Sequence, residues 1–233
     1  MGTFVFEPMQ PHAQPLLGIL GGTFDPIHLG HLRLAEEMRE ALNLARVHFV
    51  PAAIPPHRAQ PALSPATRFE LVRCAILDQP AFRADPRELN RDGASYTIDT
   101  VQSVHADFPA HHLVLILGMD AFNGLAQWHR WTELFDYVHL AVASRPGAML
   151  SEDAARLLAE RSLSPAQLPF YRAGGIVFLP ITHLDISATA IRSALVAGRS
   201  VRYLVPECLL NPLRVHYSEP NFGASLTAQP ASE

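Results

Sequence analysis

Two histidines three residues apart, His28 and His31, follow a glycine pair, Gly21 and Gly22, in the stretch LLGILGGTFDPIHLGHLRLAEEMREALNL from Leu16 to Leu44. Imidazoles donate N–H groups, and glycines without a Cβ let the backbone approach a ligand closely. A helix opening near His28 would add unpaired N–H groups and a positive dipole end. This combination suits a phosphate. Two other readings remain for the histidines, as metal ligands or as helix caps. A zinc site would need a third and a fourth ligand at sensible spacing, and Cys74 and Cys208 sit in no such pattern.

A second candidate lies far along the chain, in Asp185-Ile186-Ser187-Ala188-Thr189-Ala190-Ile191-Arg192. Ser187 or Thr189 suits a helix start, and one turn later Arg192 offers a two-pronged donor for phosphate. Taken alone, this pattern describes an ordinary capped helix. Between the two strings, Pro55-Pro56-His57-Arg58 puts an imidazole and a guanidinium on a stiff loop, equally readable as a phosphate grip or as a solvated loop.

These residues need a scaffold, and the hydrophobic pattern supplies one. Leu16 to Leu20 is a short apolar run, and Leu29, Leu32, Ala35, Met38 and Leu42 then recur at helical spacing, so a strand passes through a glycine turn into a helix. Arg46 to Val50 reads as the next strand, closing a parallel strand–helix–strand unit. A helix is expected from Ser64 to Gln79, with Ser64 as its cap and Arg68 and Arg73 toward solvent. A short strand follows over Phe82 to Asp85, then a helix from Ser95-Tyr96-Thr97 to about Phe108. Leu113 to Leu117 (LVLIL) is continuously apolar, as a strand covered on both faces requires, and is expected at the centre of the sheet.

At the carboxyl end of that strand, Gly118 and Asp120 stand where open α/β sheets bind ligands. Asp120 could accept from a ribose hydroxyl or cap the following helix. Trp128 presents a flat face for stacking an aromatic ring, and Trp131 opens the amphipathic WTELFDYV stretch as core packing. His139 to Ser144 and Ile176 to Leu179 complete the strands, with a helix over Ser151 to Arg161 between them. Arg145 follows the His139 to Ser144 strand in a turn, readable as a solvent-facing side chain. The expected architecture is a Rossmann-like, doubly wound parallel sheet with helices on both faces. Residues 16–217 would form one domain, behind a mobile leader over 1–15 and ahead of a disordered tail over 218–233.

The turn Gly22 to His31 resembles the GTFDP-x-H-x-GH signature of the nucleotidyltransferase superfamily, and Ile186 to Arg192 resembles its ISSTxIR motif, with Ala188 in place of Ser. The PPH-R loop, the SYT-x-x-T run from Ser95 to Thr100, and Trp128 are similar to the bacterial nicotinate-nucleotide adenylyltransferases. The resemblance spans about Gly18 to Val215. It implies adenylyl transfer from ATP to nicotinate mononucleotide, giving deamido-NAD and pyrophosphate in NAD biosynthesis. ATP would then meet Gly21, Gly22, Thr23, Phe24, His28, His31, Gly118, Asp120, Ile186, Ser187, Thr189 and Arg192, with His28, His31 and Arg192 catalytic. Nicotinate mononucleotide would meet His57, Arg58, Thr97, Trp128 and Arg145. Mg²⁺ would arrive bound to ATP, with no metal site of the protein's own. His129 stands where the family often has Tyr, so the resemblance gives it no role.

Phosphopantetheine adenylyltransferase and the cytidylyltransferases share the first string, but Trp128 and the SYT segment speak against them. A non-catalytic dinucleotide-binding module would use the same pocket without turnover. An oxidoreductase would need G-x-G-x-x-G, which this turn lacks. The chain of 233 residues carries a formal net charge of −4, so nucleic acid is not attracted globally and a small phosphate-bearing substrate is favoured. Two cysteines in no framework suit the cytoplasm. No apolar run approaches the roughly 18–20 residues of a membrane span. Oligomeric state is left open.

Overall fold

The computed structural model describes residues 11–55, 60–144, 147 and 149–218. His57, Arg58 and Arg145, together with most of the leader and residues 219–233 of the tail, lie outside the described residues. Six strands form one parallel sheet: β1 (Leu16–Gly22), β2 (Leu44–Pro51), β3 (Phe82–Ala84), β4 (His112–Gly118), β5 (Val138–Ser144) and β6 (Ile176–Pro180). Their spatial order is β3-β2-β1-β4-β5-β6, so the winding direction reverses between β1 and β4. The LVLIL run is indeed central.

Because side chains alternate along a strand, each central strand feeds two cores. On one face, Leu16 and Leu20 of β1 and Val114 and Ile116 of β4 pack with α1 (Leu29–Leu42), α2 (Pro65–Ala75), α6 (Ala188–Val196) and α7 (Leu210–Ser218). On the other, Leu17, Ile19, Leu113, Leu115 and Leu117 pack with α3 (Thr97–Asp107), α4 (Met119–Asn123) and α5 (Glu152–Arg161). The doubly wound expectation therefore holds.

The strand register opens a crevice. The β1–β4 ladder stops at Ile19–Leu115, whereas β1–β2 continues to Gly22–Pro51 and β4–β5 to Gly118–Ala143. The carboxyl ends of β1 and β4 thus part from each other at the reversal point, where sheets of this kind bind ligands.

Several local expectations change. Helix α2 ends at Ala75, short of Gln79, although Ser64 caps it as expected by accepting from the Thr67 N–H at 3.1 Å. The amphipathic stretch begins as a 3₁₀ turn over Trp131–Asp136. Helix α7 runs to Ser218, one residue into the expected tail. Among the described residues, no helix is long and apolar enough to cross a membrane.

Candidate active site

The glycine turn leaves β1 at the mouth of the crevice. A Cβ built on Gly21 or Gly118 would meet nothing within 4 Å, so both strand ends face open space. Thr23 is half-buried beyond them, while Phe24 is buried and takes a positive φ of 49°. The carboxylate of Asp25 accepts from the Ala62 and Leu63 N–H groups at 2.7 and 3.2 Å, which anchors the turn to the start of α2.

His28 is the N-cap residue of α1, with extended backbone, so the helix opens beside it as expected. Its ring reaches His31 by stacking, with centroids 3.7 Å apart and planes 26° from parallel. Phe24 closes the other side edge-on at 5.1 Å from His31. The His28 N–H donates to His31 Nδ1 at 3.3 Å, which assigns the ring proton of a neutral His31 to Nε2. Burial pulls the His28 pKa down to about 4, so this imidazole is neutral at physiological pH, and its buried Nδ1 has no partner among the described residues. Gly30 makes the stack possible, because a Cβ there would lie 3.1 Å from the His28 ring.

The second string reaches the same turn. Ser187 caps α6 by accepting from the Ala190 N–H at 3.1 Å. From that helix Arg192 donates to the Asp25 carbonyl at 2.7 Å and to Thr189 Oγ1 at 3.3 Å, and it lies 3.8 Å from an Asp25 carboxylate oxygen. Ile186 flanks Gly30, its Cβ 3.8 Å from where a Gly30 Cβ would stand. Asp120 sits exposed in the first turn of α4, whose N-cap is Gly118, so the capping alternative for Asp120 falls.

The segments resembling a pyridine-nucleotide site also converge. Tyr96 is the N-cap of α3, without a side-chain cap bond, and Thr97 opens the helix. His129 lies over the Tyr96 ring with centroids 4.2 Å apart, and Arg130 approaches Asp99 of the same helix turn at 3.6 Å. Trp128 is half-buried beside them and packs on the α3-side core. Ser95 does not cap α3: its hydroxyl accepts from the Ala53 and Ile54 N–H groups at 2.9 and 3.2 Å, holding the loop after β2.

Among the buried ionic side chains that escaped the sequence reading are Arg68 and Glu88. Arg68, expected in solvent, is completely buried, and its guanidinium donates to the carbonyls of Leu63, Thr23 and Ala53. Glu88 is buried beside α3, where desolvation raises its pKa against the lowering effect of the Thr100 and Ser95 hydroxyls. The signal for Arg68 was a lone arginine directly ahead of the Phe69 to Ile76 apolar stripe, which periodicity alone assigns to the polar face.

The low pKa of His28 has a consequence for stability. His139 of β5 is likewise drawn down to about 4 by desolvation. Unfolded chains take up these protons near pH 6.5 and the folded protein only near pH 4, so stability is complete above 6.5 and is lost as pH falls between those values. Each group is expected to remove roughly 2 kcal/mol by pH 5. Urea unfolding at pH 7.5 and pH 5 measures this, and equal stability at both would contradict the burial of the two rings.

A sequence model of the cytidylyltransferase-like family matches residues 19–194. The chain is 52% identical over 201 residues to a probable nicotinate-nucleotide adenylyltransferase of Halorhodospira halophila, covering 84% of this chain and 92% of the relative. It is 46% identical over 204 residues to one of Pseudomonas aeruginosa, covering 86% and 95%. A solved structure of Plasmodium falciparum nicotinic acid mononucleotide adenylyltransferase complexed with NaAD superimposes with a TM-score of 0.67 at 14% identity, covering 89% of this chain and 98% of that one. A putative nicotinate-nucleotide adenylyltransferase from Vibrio parahaemolyticus gives a TM-score of 0.60 at 16% identity, covering 85% and 98%. At those identities the structural likeness speaks to the fold.

Proposed function

The chain belongs to the nicotinate-nucleotide adenylyltransferase family, within the cytidylyltransferase-like proteins, and on that premise we propose how its residues transfer the adenylyl group of ATP to nicotinate mononucleotide. The observation that carries the assignment of roles is the bond from Arg192 to the Asp25 carbonyl, which seats the second string on the first.

A phosphate oxygen of the mononucleotide attacks the α-phosphorus of ATP. The new O–P bond forms as the bond to the bridging oxygen breaks, leaving deamido-NAD and pyrophosphate. A mononucleotide phosphate is largely ionised at neutral pH, so the nucleophile needs no strong base. The barrier is lowered by holding the three groups in line and by stabilising charge on the departing pyrophosphate. His28 and His31 hold the ATP phosphates beside the open backbone of Gly21 and Gly22, with Thr23 and Phe24 shaping the turn. Arg192 meets the leaving group, assisted by the start of α6 at Ile186, Ser187 and Thr189. Gly118 and Asp120 face the nucleoside across the crevice. Thr97 and Trp128 receive the pyridine, and His57, Arg58 and Arg145 its phosphate.

The donors around the turn are imidazoles, guanidinium and N–H groups, which suit phosphate oxygens better than a hard, oxygen-seeking cation such as Mg²⁺. Magnesium accordingly enters as part of the MgATP substrate and neutralises phosphate charge there. We also place the enzyme in the cytoplasm, on the strength of its cysteine usage and its substrates.

Pyrophosphate release with MgATP and either mononucleotide tests this reading. Faster turnover of the nicotinate form is expected. A strong nicotinamide preference would overturn the substrate assignment, and no pyrophosphate from either would leave a binding module.

A further inference from the structure

Arg68 is an unusual use of a charged side chain. It is fully buried, makes no ion pair with a carboxylate among the described residues, and spends its donors on three backbone carbonyls from three segments. Its Nε donates to Leu63, at the entrance to its own helix, at 3.2 Å. One terminal nitrogen donates to Thr23, in the phosphate turn, at 2.6 Å, and the other to Ala53, in the loop after β2, at 3.3 Å. An apolar side chain would fill the volume without desolvating a charge. What a guanidinium adds is a planar fork that fixes the spacing of the groups it binds.

The Ala53 end leads onward. The Ala53 N–H donates to Ser95 Oγ at 2.9 Å, and the Ser95 N–H donates to the Ile54 carbonyl at 3.0 Å, so loop and serine hold each other. Ser95 immediately precedes Tyr96 and Thr97, the start of α3. A continuous path therefore runs from the Thr23 carbonyl through Arg68, Ala53 and Ser95 to the helix assigned to the pyridine. The Asp25 carboxylate on the Ala62 and Leu63 N–H groups ties the same turn to α2 a second time, and the Ala52 N–H donates to the Gly22 carbonyl at 2.9 Å, so turn and β2 loop are joined one residue earlier and Arg68 extends that junction to Thr23 and Ala53.

We propose that Arg68 is a positioning residue that sets the distance between the ATP-phosphate turn and the segment receiving the mononucleotide, and with it the in-line approach of the nucleophile. It touches neither substrate. The inference rests on the adenylyl-transfer reading above. Displacement of one reacting partner by about 1 Å is enough to slow a transfer by up to about 100-fold. Losing one arm of the fork should therefore act on turnover more than on binding.

The experiment compares the unmutated protein with Arg68→Lys, whose ammonium keeps the charge but cannot span three carbonyls. Arg68→Lys is expected to lower kcat by roughly 10- to 30-fold, with both KM values within about 3-fold and an unchanged circular dichroism spectrum. Ser95→Ala removes the hydroxyl that accepts from the Ala53 and Ile54 N–H groups, leaving the Ser95 N–H bond to the Ile54 carbonyl, and in the Arg68→Lys background it should lower kcat no further. Wild-type kcat in a folded Arg68→Lys protein, or kcat losses that multiply in the double variant, would overturn the proposal. If Arg68→Lys does not fold, the NMR signal of the Arg68 Nε–H in the unmutated protein decides. It should shift on adding either a non-hydrolysable ATP analogue or nicotinate mononucleotide, and indifference to both would overturn the proposal. Absence of pyrophosphate release from the unmutated protein would instead defeat the underlying reading.

Discussion

Alanine at His31 is expected to lower kcat by about 100- to 1,000-fold, the range seen when a single donor to developing charge is removed. The ring is held for that task. Its Nδ1 accepts from the His28 N–H at 3.3 Å, so the proton of the neutral ring is on Nε2, and rings on both sides restrict its rotation. His28 stays neutral because burial lowers its pKa to about 4, so it supports the stack without adding a charge of its own. The structural loss is smaller, because the variant gives up a bond at the helix start, about 1 kcal/mol, and its ring contacts with His28 and Phe24. Steady-state pyrophosphate release and thermal unfolding separate the two effects. A kcat within about 3-fold of the unmutated protein would remove His31 from the phosphate site.

The fold was legible because its signals are strong and local. LVLIL can be buried on both faces only as an inner strand of a covered sheet, and the leucine and alanine spacing after His28 admits only a helix with one apolar face. The two phosphate strings were legible as strings, and their meeting at Asp25 supports the roles drawn from them. What periodicity misreads is a polar side chain whose buried partners are backbone atoms. Arg68 looked solvent-facing because a helical stripe counts apolar neighbours, whereas this face of α2 looks onto carbonyls of the phosphate turn and the β2 loop. Ser95 stood only as the expected start of a helix for the same reason, since its long-range partners at Ala53 and Ile54 have no local signature. Gly30 passed without comment because its purpose, clearance for the His28 ring, exists only once that ring is stacked.

Arg192 is the other position where a large effect is expected. Its fork already holds the turn, donating to the Asp25 carbonyl at 2.7 Å, and its side chain keeps 22% of its exposure, so the cation is not fully enclosed. Arg192→Ala removes both the tether and the charge, and kcat/KM for ATP should fall by about 100- to 1,000-fold. Lysine restores the charge as a point without the fork, so Arg192→Lys should recover about one order of magnitude of that loss. Stability should fall by no more than about 2 kcal/mol, since two partly exposed hydrogen bonds are lost, each worth about 1 kcal/mol. The leaving pyrophosphate comes from ATP alone, so KM for nicotinate mononucleotide should stay within about 2-fold in both variants. Steady-state kinetics with each substrate varied in turn make the distinction. A wild-type kcat/KM for ATP in the alanine variant, or a defect confined to the mononucleotide, would show that Arg192 braces the turn and does not meet the leaving group.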